Sequence, residues 1–242
     1  MKFPIINSPG EALDVAFHPS DKTDHLVVLG HGVTGNKDRP LLIAVAEGLS
    51  ARGWPCLRIS YSGNGASQGI FEESTITKEI ADLQSVFDAI PETTRIAYCG
   101  HSMGGAVGVL TAVRDERIRV LITLAGMVFT KDFCQREFGE VTPGQGCMWD
   151  DETCPLSQAY VDDLHAHGST LDAAAAMEVP WLLVHGTADD VVFPADSEAA
   201  YAAAPEPKKL VMIEGAGHSF DETSYPRVIE EIDAWLRKYL AI

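Results

Sequence analysis

Long apolar runs are missing from this 242-residue chain, and no segment approaches the length a membrane span requires. The first ten residues, Met1 to Gly10, carry too short an apolar stretch and too early a proline for a signal peptide. Cysteine is scarce: five residues, an odd number, with no Cys-x-x-Cys spacing, which argues against a disulfide framework. Cys56 and Cys99 fall in predicted buried strands, where a thiol behaves as a small apolar group. Cys134, Cys147 and Cys154 share one irregular region, and there the free thiols of a cytoplasmic protein are expected over a disulfide. With Asp150, Asp151 and His165 they match no zinc spacing, so neither a metal nor a cofactor is expected. Basic residues are outnumbered 18 to 35, and the resulting net charge of −17 disfavours nucleic acid and anionic membrane as partners.

What is present is the material of one soluble α/β domain. Apolar residues reach 46%, enough to bury a sizeable core at this length. Residues 11–18 alternate like a half-buried strand, and Asp24 to Gly30 is a continuous apolar run, as in a strand covered on both faces. A helix is predicted from Pro40 to Arg52, a strand over Cys56 to Ser60, and a helix over Thr75 to Ala89 with Ile76, Ile80, Leu83, Val86 and Phe87 on one face. Strands ending at Cys99 and over Ile118 to Leu124 follow, with a helix after Ser102 between them. From Met127 to Met177 the rhythm breaks into short helical pieces and turns. It resumes with strands at Trp181 to Val184 and Lys209 to Ile213, and helices at Pro194 to Ala203 and Tyr225 to Leu240. This alternation implies a doubly wound, mostly parallel sheet. The core is expected to comprise 1–126 and 178–242, with 127–177 a small cap inserted at the carboxyl edge, where ligand crevices of such sheets lie.

The stretch Cys99-Gly100-His101-Ser102-Met103-Gly104-Gly105 joins a strand to a helix through Gly-x-Ser-x-Gly. Such a turn raises the serine clear of the sheet at a helix N-terminus, and a Cβ on the flanking glycines would collide with the adjoining backbone. A serine hydroxyl needs a base to take its proton, and the base needs a carboxylate to hold its tautomer. Among eight histidines, His218 lies in a flexible loop between the last strand and the last helix, as a base would. His31 and His185 precede glycines at strand ends, where packing roles are expected. His101 adjoins the serine but points elsewhere, His18 and His25 flank an early strand, and His165 and His167 read as solvated. For the acid, Asp189 and Asp190 compete in the loop that leaves the preceding strand.

Ser102, a loop aspartate and His218, in that order, resemble the α/β-hydrolase superfamily over nearly the whole chain. His185-Gly186-Thr187-Ala188-Asp189 is similar to its acid loop, and that resemblance selects Asp189. His31-Gly32-Val33-Thr34-Gly35 resembles its oxyanion loop, which implies the amides of Val33 and Met103 as oxyanion donors. Together with Arg58 to Ser67, these motifs are similar to small carboxylesterases of the cinnamoyl/feruloyl esterase and monoacylglycerol-lipase types. Ser60 departs from them: relatives place there an aspartate that ties the loops by the oxyanion hole, and Tyr61 or Ser62 is the available substitute. The implied enzyme is a serine esterase acting on a small ester with short-to-medium or aromatic acyl groups, with a homodimer left open. Met127, Val128, Phe129 and Trp149 are the expected substrate contacts, with Phe133, Phe138 and Met148 as either roof or cap core. A prolyl-oligopeptidase-like peptidase, a thioesterase or acyltransferase, and a non-catalytic relative are the alternatives.

Overall fold

The continuous apolar runs become strands because both of their faces are covered. In the computed structural model, which describes residues 4–240, β1 (Ile5–Ile6) and β2 (Ala12–Leu13) form a small antiparallel ribbon. The first three residues of the N-terminal stretch lie outside the described residues. Next come β3 (Val15–His18), β4 (His25–Gly30), α1 (Pro40–Ser50), β5 (Cys56–Ile59), α2 (Ile76–Asp88), β6 (Arg95–His101), α3 (Met103–Ala112) and β7 (Ile118–Leu124). Then follow α4 (Thr130–Phe138), α5 (Gln158–His167), α6 (Leu171–Ala175), β8 (Trp181–Gly186), α7 (Pro194–Ala203), β9 (Lys208–Ile213) and α8 (Tyr225–Tyr239). The alternating segment 11–18 is thus two short strands in two different sheets, not one.

Strands β3-β5-β4-β6-β7-β8-β9 lie side by side, parallel except for the antiparallel edge strand β3. Successive side chains point to opposite faces, so Val27, Leu29, Cys99, Ile122 and Val184 pack in the layer of α1 and α8. Val28, Leu57, Tyr98, Leu121 and Leu183 pack in the opposite layer with α2 and α3. Leu42, Val45 and Leu49 of α1 are fully buried, and truncating either leucine to alanine would cost about 2–5 kcal/mol. Helix α3 is buried along its whole length, which its run of Gly, Ala and Val permits.

One feature of the strand order places the site. The two strands that follow β4 in the chain, β5 and β6, sit on opposite sides of it. That reversal opens a crevice at the carboxyl ends of β4 and β6. Register pairs Gly30 with Gly100, so the loop leaving β4 and the turn leaving β6 emerge at the same level.

Candidate active site

Strand β6 passes into α3 through Ser102, whose backbone holds φ 55° and ψ −121°. This sparsely populated conformation costs about 1–3 kcal/mol and persists because the surroundings over-determine it. The Ser102 amide donates to Leu124 O (3.0 Å), and its carbonyl accepts from the Gly105 and Met127 amides (2.8 and 3.0 Å). A Cβ on Gly100 would lie 2.1 Å from the Gly104 carbonyl oxygen, so the turn admits no side chain there.

The loop leaving β4 lies against this turn. A Cβ on Gly32 would fall 2.6 Å from Ser102 Cβ and 3.0 Å from its Oγ. His31 fixes the loop from beneath. Its Nε2 accepts from the Tyr61 amide (3.0 Å), which leaves Nδ1–H to donate to Gly32 O (2.9 Å). Full burial, against the hydrogen bond to Gly32 and with a smaller push from the positive charge of Arg39, lowers its pKa to about 4, so the ring is neutral. Ser60 also ties the loop itself: its Oγ accepts from the Lys37 amide at 3.0 Å. The serine thus serves where relatives were expected to use an aspartate, assisted by Tyr61 through its backbone. The amides of Val33 and Met103 have no turn, loop or cap partner among the described residues.

The loops after β8 and β9 are stitched together by Thr187 N–H to Ile213 O and Ala188 N–H to Ala216 O, both 2.9 Å. This brings Asp189 to His218. Oδ2 of Asp189 lies 2.9 Å from His218 Nδ1, and Oδ1 accepts from the amides of Val191 (2.9 Å) and Val192 (3.0 Å). Asp190, the competing carboxylate, is exposed. The spacing of the sequence hid a further partner. His185, wholly buried, places Nε2 3.1 Å from the same Oδ2 of Asp189 and 2.9 Å from Val192 O. A carbonyl can only accept, so Nε2 carries the proton, and Nδ1 accepts from the buried Ser197 hydroxyl at 2.7 Å. Burial favours protonation of Asp189, but the His185 and His218 hydrogen bonds outweigh it and hold the carboxyl well below the usual range.

With Nδ1 of His218 engaged by Asp189, its Nε2 has no hydrogen-bond partner among the described residues. Its ring lies 4.8 Å from that of His101, whose Nε2 donates to the His218 carbonyl at 2.9 Å. His101 therefore braces the His218 loop, although it reads from the sequence as pointing away. Burial first, then the neighbouring His218, push its pKa down to about 3. No hydrogen bond joins Ser102 Oγ to His218 among the described residues. The two side chains line one cavity of about 580 Å³, together with Val33, Thr34, Arg39, Trp149 and Tyr225.

Of the four expected substrate contacts, only Trp149 lines this cavity. Met127 and Val128 are buried beside Gly105, Thr123 and Trp181, and Phe129 packs at the edge of the same core. The reason is the backbone: the Met127 amide is tied to the Ser102 carbonyl, and the amides of Val128 and Phe129 to Asp196 Oδ2 at 3.0 and 3.2 Å. Those anchors turn the chain inward. Phe133, Phe138 and Met148 are buried too, with Phe138 edge-on to Trp149 at 5.0 Å and to Tyr160 at 6.2 Å. Trp149 alone stays out, 45% exposed, at φ 49° in a turn where Asp150 also has positive φ.

Comparison with known proteins gives the chain's family and fold. The family model described as serine aminopeptidase, S33, matches residues 21–143 and 153–221. An uncharacterized Mycobacterium tuberculosis protein, Rv2307c, is 30% identical over 230 residues, 92% of this chain and 72% of that one. The human mitochondrial palmitoyl-protein thioesterase ABHD10 is 29% identical over 163 residues, 62% of this chain and 52% of its own. Among solved structures, Est1E from Butyrivibrio proteoclasticus with ferulic acid bound superposes with a TM-score of 0.87 at 26% identity, covering 98% of this chain and 99% of its own.

Proposed function

The chain belongs to the serine aminopeptidase S33 family of α/β-hydrolases, and within it we propose a serine carboxylesterase that cleaves short-to-medium or aromatic acyl esters through an acyl-enzyme. The observation that carries this reading is the Asp189–His218 hydrogen bond at a cavity that Ser102 also lines, on a strained turn. The likeness to Est1E, seen with ferulic acid bound, supports an aromatic acyl group. Residues 127–177 serve as the cap.

The chemistry follows from the proton positions. His218 Nε2 takes the Ser102 hydroxyl proton as Oγ attacks the ester carbonyl, and Asp189 stabilises the imidazolium through Nδ1–H. The oxyanion accepts from the amides of Val33 and Met103, each worth about 3 kcal/mol in the transition state. His218 then returns its proton to the departing alcohol oxygen. Water enters, His218 deprotonates it, and the acid is released from Ser102. The carboxylate of Asp189, held ionised by His185 and His218, keeps the base in one tautomer throughout.

A thioester substrate is the second reading, favoured by the resemblance to ABHD10. A panel of 4-nitrophenyl esters, methyl ferulate, an acyl thioester and an aminoacyl 4-nitroanilide separates the possibilities. Ester turnover is expected, falling by about three to six orders of magnitude in Ser102→Ala. Near-full activity of that variant would remove Ser102 as nucleophile. Anilide cleavage faster than ester cleavage would make the protein a peptidase.

A further inference from the structure

The cavity's lining departs in charge from the rest of the molecule. The chain has 35 acidic residues against 18 basic ones, yet among the described residues no Asp or Glu lines the cavity that holds Ser102. Its walls are mostly apolar, with Val33, Leu41, Val191, Trp149 and Tyr225, and Arg39 is the lining residue that carries a permanent charge.

Arg39 is the residue before α1, and it is exposed. Its Nη2 donates to the Thr34 carbonyl at 2.8 Å, with Thr34 Oγ1 3.5 Å away, and it makes no ion pair among the described residues. The nearest acid in sequence, Asp38, is already engaged: Lys37 meets it at 2.6 Å and Arg58 at 3.0 Å. Arg39 thus keeps Nε–H and Nη1–H for a ligand. A planar guanidinium with donors to spare suits a carboxylate or phosphate, and a mostly apolar wall strengthens that attraction. Its positive charge is felt at the buried rings of His31 and His101 and at the exposed carboxylate of Asp151, which forms no ion pair with it among the described residues. Trp149, the exposed ring in this cavity, falls in the stretch 144–152 that the family model passes over, so this part of the wall belongs to the chain rather than to the family pattern.

We propose that Arg39 binds an anionic group of the substrate, a carboxylate or phosphate, so that the site selects negatively charged esters over neutral ones of the same shape. This rests on the esterase reading above and adds to it the class of ester.

Two pairs of chromogenic or ultraviolet-active esters test it. 4-Nitrophenyl hydrogen glutarate against 4-nitrophenyl 5-methylhexanoate puts the charge on the acyl side. 4-Acetoxybenzoate against 4-acetoxyacetophenone puts it on the alcohol side. In at least one pair, Arg39→Gln is expected to lower the ratio of kcat/KM, anionic over neutral, by about tenfold or more, and Arg39→Lys to restore part of it. Arg39 also braces the Thr34 carbonyl. Damage to that brace slows both members of a pair and cancels in the ratio. A ratio that moves less than about twofold in both pairs, with turnover intact, overturns the anion site and leaves the esterase reading standing. Binding by Ser102→Ala separates the other failure. Tighter binding of the anionic ester, lost in Ser102→Ala/Arg39→Gln, together with no turnover by the native protein, keeps the anion site and overturns the esterase.

Discussion

Replacing His31 by glutamine tests how the loop after β4, which carries the proposed oxyanion donor Val33, is held. In the folded protein this ring is fully buried, accepts from the Tyr61 amide and donates to Gly32 O, and its pKa falls from an ordinary 6.5 to about 4. The unfolded chain therefore takes up a proton on His31 near pH 6.5, and the folded protein only near pH 4. A folded pKa below the unfolded one means that the neutral ring's contribution is present above pH 6.5 and is lost as pH falls toward 4. Between pH 7 and pH 5 the loss is about 2 kcal/mol, a large share of a typical total stability of roughly 5–15 kcal/mol. Glutamine supplies an acceptor oxygen and a donor NH2 group but does not titrate. His31→Gln should be less stable than the native protein at pH 7, and the gap should narrow by about 2 kcal/mol at pH 5. Urea unfolding followed by far-ultraviolet circular dichroism at the two pH values reads the difference, and the acid response of every other group cancels in it. A gap that changes by less than about 0.5 kcal/mol would refute a neutral, buried His31.

Two further outcomes follow from other buried groups. Glu79 of α2 is buried, and burial, with the nearby charges of Asp82 and Asp163, pushes its pKa well above the ordinary value while Ser74 opposes them. Its folded pKa is raised, so the stability it contributes is present below pH 4.5 and is lost as pH rises through the folded value; Glu79→Gln should gain in melting temperature over the native protein more at pH 8 than at pH 5, and an equal difference at both would contradict this. Ser60→Ala leaves the Lys37 amide without its acceptor; a stability loss of about 1 kcal/mol is expected, with kcat falling more than KM rises, and unchanged kcat would mean that this tie does not position the oxyanion loop.

Much of the architecture was legible because its causes are local. Runs such as Leu26 to Leu29 can only be strands covered on both faces, and the rows of apolar side chains on α2 follow its helical period. Gly-x-Ser-x-Gly marked the turn at Ser102 because its backbone leaves no room for a Cβ at Gly100. The site was legible in part. Ser102, Asp189 and His218 sit at strand ends in an order that the resemblance made readable, and the fold brings Asp189 and His218 into contact. Segment 11–18 misled because alternation of apolar residues does not say whether one strand or two is formed.

Sequence by itself therefore determined the alternating α/β architecture, the strained turn and the candidate residues at the sheet's carboxyl edge, since each depends on sterics or periodicity within a few residues. Only the tertiary structure decided which side chains meet. Strand register set the β4 loop beside Ser102, and loop stitching between β8 and β9 brought Asp189, held to His185 four residues before it, into contact with His218. Backbone anchors at Ser102 and Asp196 turned Met127, Val128 and Phe129 into the core and left Trp149 and Arg39 to line the cavity. Such contacts join residues far apart in the chain, and their burial and charge depend on neighbours that no local pattern specifies.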